Sequence, residues 1–126
     1  MSKVIKLKKG LDIKLKGEAE NLVKNIERCD FYAVKPTDFR LLTPKLAVKA
    51  GDQVKAGDVL FIDKYRPEVK FTSPVSGTVE AVNRGERRKL LEVVVKADAQ
   101  IQYKDFGAAD VNKLSREEII EKLLDS

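Results

Sequence analysis

The sequence predicts a small, mainly β domain with a strand pair at its N-terminus and a short helix at its C-terminus. Three observations carry this. Between residues 46 and 95 the strand-like runs LAV, DVLFID, EVKF, GTVEAV and KLLEVVV are separated by Gly51, Gly57, Pro67, Pro74, Gly77 and Gly85; strands this short with turn residues this frequent suit a β sandwich or barrel. Residues 1–17 alternate aliphatic and lysine side chains, and residues 114–124 combine a capping signature with an apolar stripe. No helix-length pattern separates the strands and no glycine-rich phosphate loop occurs, so a nucleotide-binding Rossmann unit is excluded.

At the N-terminus, Ile5, Leu7, Leu11, Ile13 and Leu15 give the alternation of two half-buried strands with Gly10 as their turn. The lysines between them suit an edge strand that discourages edge-to-edge pairing. In residues 18–34, Leu22, Val23 and Ile26 could share a short helix face. The run CDFYAV is rich in strand formers, and strands joined by a loop are preferred, ending at Val34 because Lys35 precedes Pro36. Residues 36–44, PTDFRLLTP, read as a connector. Residues 96–113 are weakly patterned and are expected to cover a sheet edge. Ser115 as N-cap and Glu118 three residues on form a capping box, with Leu114 and Ile119 placed as a hydrophobic staple. Ile119, Ile120, Leu123 and Leu124 follow as one stripe. A helix this short needs tertiary support, and it stops without a capping glycine, which suggests the start of a further domain. The expected organisation is N-terminal strands and connector over 1–40, the main β domain over 41–97, and an extension over 98–126.

Composition restricts chemistry. The chain has no histidine and one cysteine, Cys29, which removes Ser-His and Cys-His nucleophile pairs, thiolate clusters and nearly all catalytic zinc sites. Cys29 is read as a small apolar strand residue in a reducing compartment. No catalytic or metal-binding residue is assigned. No apolar run is long enough to span a membrane, and the N-terminus lacks the continuous apolar core of a secretory signal. The net charge of +5 is concentrated in residues 1–17, where Asp12 alone faces Lys3, Lys6, Lys8, Lys9, Lys14 and Lys16. The cations of the 84–89 loop have no aromatic side chains interleaved to stack bases, so nucleic acid is not an expected partner.

Residues 48–60, VKAGDQVKAGDVL, and 73–79, SPVSGTV, together resemble biotinyl and lipoyl domains. Gly51 and Gly57 supply turn positions, Asp52 and Asp58 brace them, and Pro74 and Gly77 shape the second half-turn. The resemblance implies a barrel-sandwich hybrid fold. In such carriers a lysine at the tip of the hairpin between the halves takes the cofactor. Here the hairpin over 57–74 has its midpoint between Tyr65 and Arg66. Lys64 stands one residue short of the tip and too close after Gly57, with Tyr65 and Pro67 where small residues are usual. Lys64 is therefore expected to be an ordinary solvated lysine, with lipoyl or biotinyl modification as the alternative.

A second resemblance covers more of the chain. Lys8-Lys9-Gly10-Leu11-Asp12, Phe61-Ile62-Asp63-Lys64, residues 69–79, Asn83-Arg84-Gly85-Glu86-Arg87-Arg88 and Leu114-Ser115-Arg116-Glu117-Glu118 look like the start of the A subunit of the bacterial sodium-translocating NADH:quinone oxidoreductase. The C subunit of the related Rnf electron-transport complex shares the general plan less closely. The resemblance implies a non-catalytic scaffold on the cytoplasmic side of the inner membrane, peripheral and bound to other subunits, a membrane-embedded one above all. It places NADH, flavins, iron-sulfur centres and quinone in the whole complex, and none of these cofactors in this piece. A quinone contact is proposed for the full subunit in that family, but no residue here is assigned to it. Arg84, Arg87, Arg88 and Lys89, with Tyr65 and Arg66 at the hairpin tip, are the candidate partner-docking residues, because arginine forks pair with carboxylates in two-bond geometry. A generic biotinyl-like adaptor is the remaining alternative, without the coiled coil or signal sequence usual in such proteins.

Overall fold

The computed structural model describes residues 6, 10, 16–18 and 20–125. The expected strand pair around Gly10 falls on residues outside that set. The remainder forms two antiparallel sheets sharing one core. The first has the order β1 (Phe31–Val34), β7 (Leu90–Ala97), β6 (Gly77–Arg84), β3 (Gln53–Val54), and the second the order β2 (Pro44–Leu46), β4 (Val59–Asp63), β5 (Lys70–Thr72). This is the mainly β architecture that the turn spacing predicts.

Alternation places the core. Along β7, Leu90, Val93 and Val95 are buried; β6 adds Val79, β3 adds Val54, and Val75 closes the end. In β4 the register shifts between Val59 and Phe61, so Leu60 and Phe61, adjacent in sequence, are both buried. A bulge does this because the extra residue changes which face the strand presents. The irregularity also limits β2. The run LAV suggested a strand at 46–48, but regular pairing ends at Leu46 opposite Phe61, and Ala47 is held by one further bond from its N–H to the Leu60 carbonyl, 2.9 Å. Burying side chains of this size stabilises by about 1.5–3 kcal/mol each.

The repeated glycine-aspartate pairs build two matching turns. Gly51 and Gly57 have φ of +92° and +98°, a conformation that glycine adopts without a Cβ clash. The Asp52 carboxylate accepts the Lys49 N–H at 2.9 Å, and the Asp58 carboxylate accepts the Lys55 N–H at 2.8 Å. Each turn is tied to the other half of the chain in the same way. Gly51 donates to the Val79 carbonyl and Val79 to the Asp52 carbonyl, both 2.8 Å; Gly57 donates to Ser73, 2.9 Å, and Ser73 to Asp58, 2.8 Å. The two signature stretches read in the sequence are thus hydrogen-bonded partners.

Residues 98–106 lie across the second turn. Ala56 donates to the Gln102 carbonyl at 2.9 Å and accepts the Lys104 N–H at 2.8 Å, and the Phe106 ring sits against Gly57. Ser76, 1 % exposed, fastens this segment: its hydroxyl accepts the Gln102 N–H at 2.9 Å and reaches the Gln100 carbonyl at 3.4 Å. Ser76→Ala would leave the Gln102 N–H without that acceptor and is expected to cost about 1–3 kcal/mol. A urea unfolding midpoint lowered without a change in slope checks it.

Residues 20–29 differ from expectation. No strand or helix forms there, and Leu22, Val23 and Ile26 are exposed; of the run CDFYAV only Phe31–Val34 becomes a strand, which pairs with β7. Among the described residues, Leu22, Val23 and Ile26 pair with no sheet edge. Cys29 is exposed rather than packed in a strand, which corrects the expectation for it.

Helix α1 (Arg116–Asp125) begins with reciprocal bonds: the Ser115 N–H donates to Glu118 Oε2 at 2.7 Å, and the Glu118 N–H to Ser115 Oγ at 3.3 Å. Lys122 Nζ donates to the Phe106 carbonyl at 2.7 Å, and Asp125 pairs with Lys70 of β5. Ile120, Leu123 and Leu124 of the apolar stripe remain exposed. The hydrogen bond from the Ser115 backbone and then that from its hydroxyl hold the Glu118 carboxyl below its usual 4.5. The hydrogen bond and charge of Lys70 hold that of Asp125 below 3.8. Carboxylates lowered in the folded state support the helix fully above their ordinary values, and that support disappears as pH falls through the lowered values. Amide protection along α1, measured against the intrinsic exchange rate at each pH, is therefore expected to fall as the pH drops below the ordinary carboxylate values, ahead of any change in β6 or β7.

Candidate docking surface

Beyond the connector's 3-10 turn (Pro36–Asp38), residues 39–42 form a loop fixed at both ends and bare in the middle. Pro36 is buried, and Leu42 packs against the core. The Phe39 ring lies 4.6 Å from that of Phe71, tilted at 60°, and Phe71 stacks at 4.9 Å on the fully buried Phe61. Aromatic pairs in this range stabilise by about 0.5–1.5 kcal/mol beyond burial. A three-ring stack thus runs from the core to the surface and holds the loop against it.

On that firm base Leu41 is 98 % exposed and has φ of +63°. A left-handed backbone costs a residue with a Cβ about 1–2 kcal/mol, and a bare leucine gains nothing from burial to offset it. Leu41→Gly is expected to leave the thermal midpoint unchanged or to raise stability by up to about 1 kcal/mol, because glycine adopts this conformation without the clash. A melting curve checks it.

The hairpin tip between β4 and β5 is the neighbouring wall. The Asp63 carboxylate accepts the Tyr65 N–H at 3.2 Å, the Lys64 N–H donates to the Thr43 carbonyl at 2.8 Å, and Val69 closes the turn by donating to Arg66 at 2.9 Å. Between loop and tip lies a groove of about 650 Å³, lined by Phe39, Leu41, Val69 and Phe71 with Arg40 and Arg66 among its polar residues. On the other side of the loop a second groove, about 290 Å³, is bordered by Leu42, Pro44 and Lys89.

These contacts sort the expected docking residues. Tyr65 and Arg66 line the first groove and Lys89 the second. Arg84 is turned inward on its own loop, donating from Nη1 to the Arg88 carbonyl at 3.0 Å, while Gly85 donates to Lys89 at 2.8 Å. Arg87 and Arg88 are exposed at the far end of the β6–β7 hairpin, both at positive φ, +53° and +61°. Phe39, Arg40 and Leu41 were missed by sequence reasoning. In the run PTDFRLLTP they resemble any apolar connector, and only the Phe39–Phe71 contact, across thirty-odd residues of chain, turns them into a ridge.

Lys64 sits on the shoulder of the hairpin, tied by its backbone to Thr43, with its ammonium 5.8 Å from the centre of the Tyr65 ring. The turn apex, closed by the Arg66–Val69 bond, lies beyond it. No helix among the described residues is long and apolar enough to cross a membrane, and no group of three or more potential metal ligands occurs among them.

Comparison with known proteins bears on the same segments. Residues 5–98 match the model of the NqrA N-terminal barrel-sandwich hybrid domain. The chain belongs to this family. Over 125 residues, 98 % of its length, it is 40 % identical to the A subunit of the Na(+)-translocating NADH-quinone reductase of Yersinia pseudotuberculosis, strain IP 31758. Over the same length it is 39 % identical to the corresponding protein of Actinobacillus pleuropneumoniae, serotype 5b, and 38 % to that of Hahella chejuensis. It spans 28 % of the length of these relatives. The barrel-sandwich hybrid of the family is the pair of sheets described above, and the matched residues include both glycine-aspartate turns, the Phe39–Leu42 loop and the hairpin tip.

Proposed function

We propose that this domain is a non-catalytic scaffold and docking unit within the A subunit of a sodium-translocating NADH-quinone reductase. It holds that subunit to its neighbours in the complex, a membrane-embedded subunit first among them, on the cytoplasmic side of the inner membrane without crossing it. NADH oxidation, the flavin and iron-sulfur redox steps, quinone reduction and sodium export belong to the complex as a whole. The observation that carries the reading is the similarity to such A subunits over nearly the entire chain. Two features support the non-catalytic part. The sequence offers no histidine as a general base, and the groove of about 650 Å³ is lined by Phe39, Phe71, Tyr65 and two arginines, residue types enriched at protein interfaces, together with Leu41, Asp38 and Asp63. The shoulder position of Lys64 favours this scaffold over a cofactor carrier.

The test is removal of this domain from the full-length subunit produced together with the rest of the complex. The expected result is loss of the subunit from the purified membrane complex and loss of NADH-driven quinone reduction together. Retention of the truncated subunit in normal amount contradicts the reading.

A further inference from the structure

We propose that the groove between α1 and β5 is a contact within the subunit. Its occupant is a segment that follows α1 in the full-length polypeptide and carries lysine or arginine beside apolar residues. The groove holds about 390 Å³, and its apolar lining is Ile120 and Leu124. Each of these is 39 % exposed, and Leu123, 71 % exposed, extends the apolar face beyond it. Residues three and four apart share a helix face, so the three form one stripe. A helix of ten residues is too short to be stable alone. Its ties from Asp125 to Lys70 and from Lys122 to the Phe106 carbonyl are polar and leave that stripe uncovered.

Charge selects the chemistry of the occupant. The rest of the lining is Glu68, Glu117, Glu121 and Asp125 against Lys70 alone, and Lys70 is already engaged with Asp125. Glu117 pairs only with Arg116 of its own helix, 3.8 Å away and well exposed. No ion pair among the described residues involves Glu68 or Glu121. Lys104 and Lys122 line a separate cavity with Asp125 rather than this groove. A second copy of this face is disfavoured, because a two-fold contact would set these carboxylates against their equivalents. An anionic bilayer is disfavoured by the same repulsion. Connectivity favours the subunit's own chain. The family's domain is N-terminal by its description, and the matched stretch, which includes α1, is 28 % of the relatives' length. In such proteins most of the polypeptide lies downstream of this helix. A segment tethered so closely meets the groove at an effective concentration on the order of millimolar, which a separate subunit would have to match by affinity. The contact stands or falls independently of the scaffold reading.

The photo-cross-linking residue p-benzoylphenylalanine in place of Leu123, the most exposed of the three, tests the contact in the full-length subunit. Irradiation of the dilute isolated subunit, then digestion and mass spectrometry, is expected to join α1 to a peptide of the same chain beyond residue 126. The mass of the undigested product is expected to remain that of the monomer. A cross-link only to a second copy, only to another subunit of the assembled complex or only to lipid overturns the proposal, as does none at all. Glu68→Gln tests the charge by the sign of its effect. Glu68 lies in the hairpin between β4 and β5, so it meets α1 across the groove. With a cationic segment in place, the variant is expected to lower amide protection of α1 in the full-length subunit about threefold. Without one, losing a carboxylate opposite Glu117 and Glu121 only relieves repulsion, and protection unchanged or raised overturns the proposal. Glu80→Gln, on an exposed carboxylate of β6 outside the groove, is the control and is expected to leave α1 unaltered.

Discussion

Gly77→Ala is expected to abolish stable folding of the domain. A Cβ built on Gly77 would lie 1.9 Å from the Lys96 carbonyl oxygen and 3.1 Å from the Ala97 Cα. These are backbone atoms of the strand that pairs with it, so no side-chain rotation relieves the overlap. Gly77 is paired on both sides, with Ala97 of β7 and Val54 of β3, at the point where the first sheet meets the second half-turn. Separating the strands would break ladder hydrogen bonds and uncover Val79, Val95 and Val54, all part of the core. Changes with such a named cause exceed the usual range, at about 4 kcal/mol or more, against a total of about 5–15 kcal/mol for a domain of ordinary stability. A melting midpoint lowered by roughly 15 °C or more, or no cooperative transition at all, is the expected readout. Gly51→Ala supplies the contrast. No atom lies within 4 Å of its added Cβ, and only the positive φ opposes it, so about 1–2 kcal/mol is expected there.

Phe61→Ala is the second large effect, about 3–5 kcal/mol by loss of burial and creation of a cavity. Phe61 is 0 % exposed and carries the inner end of the three-ring stack. Its removal therefore acts at a distance. Phe71 loses its stacking partner, Phe39 loses the rigid support of Phe71, and the loop bearing Leu41 is no longer braced. Denaturant unfolding reads the stability loss, and amide exchange at residues 39–42 reads the loosened loop. Exchange there is expected to quicken more than at β7, in the interior of the first sheet.

The same stack marks the boundary of what the sequence could reveal. The turns at Gly51 and Gly57 and the tie between 48–60 and 73–79 were legible because local geometry demands particular residues at fixed spacing, glycine for a positive φ and aspartate for the free N–H. The fold class followed from them, and so did the hairpin with Lys64 on its shoulder. The two-residue strand β3 was not legible, being too short to carry a period. Residues 98–106 show little pattern because Ala56 and Ser76 hold them through their backbone, and backbone bonds ask little of side-chain type. In 20–29, apolar spacing suggested an element where none forms, and no strand edge among the described residues pairs with Leu22, Val23 and Ile26.

The candidate surface divides along the same line. Arg66, Tyr65 and Lys89 were recognisable as exposed cationic or aromatic residues at turns. Leu41 was not, because PTDFRLLTP reads only as a connector until the backbone angle and exposure of Leu41 are known. What the sequence did not show for Arg84, an exposed residue, is the bond from its Nη1 to the Arg88 carbonyl of its own hairpin. Residue type gave the chemistry of the surface, and long-range aromatic packing gave its location.

Amide hydrogen exchange of the full-length protein, both free and within the assembled complex, tests the scaffold account most directly. The account predicts that a surface segment of the domain, with the 39–42 loop and the 64–69 hairpin tip as the candidates, exchanges about tenfold more slowly in the complex, with β6 and β7 unchanged. Equal rates throughout the domain in the free and assembled states would contradict it.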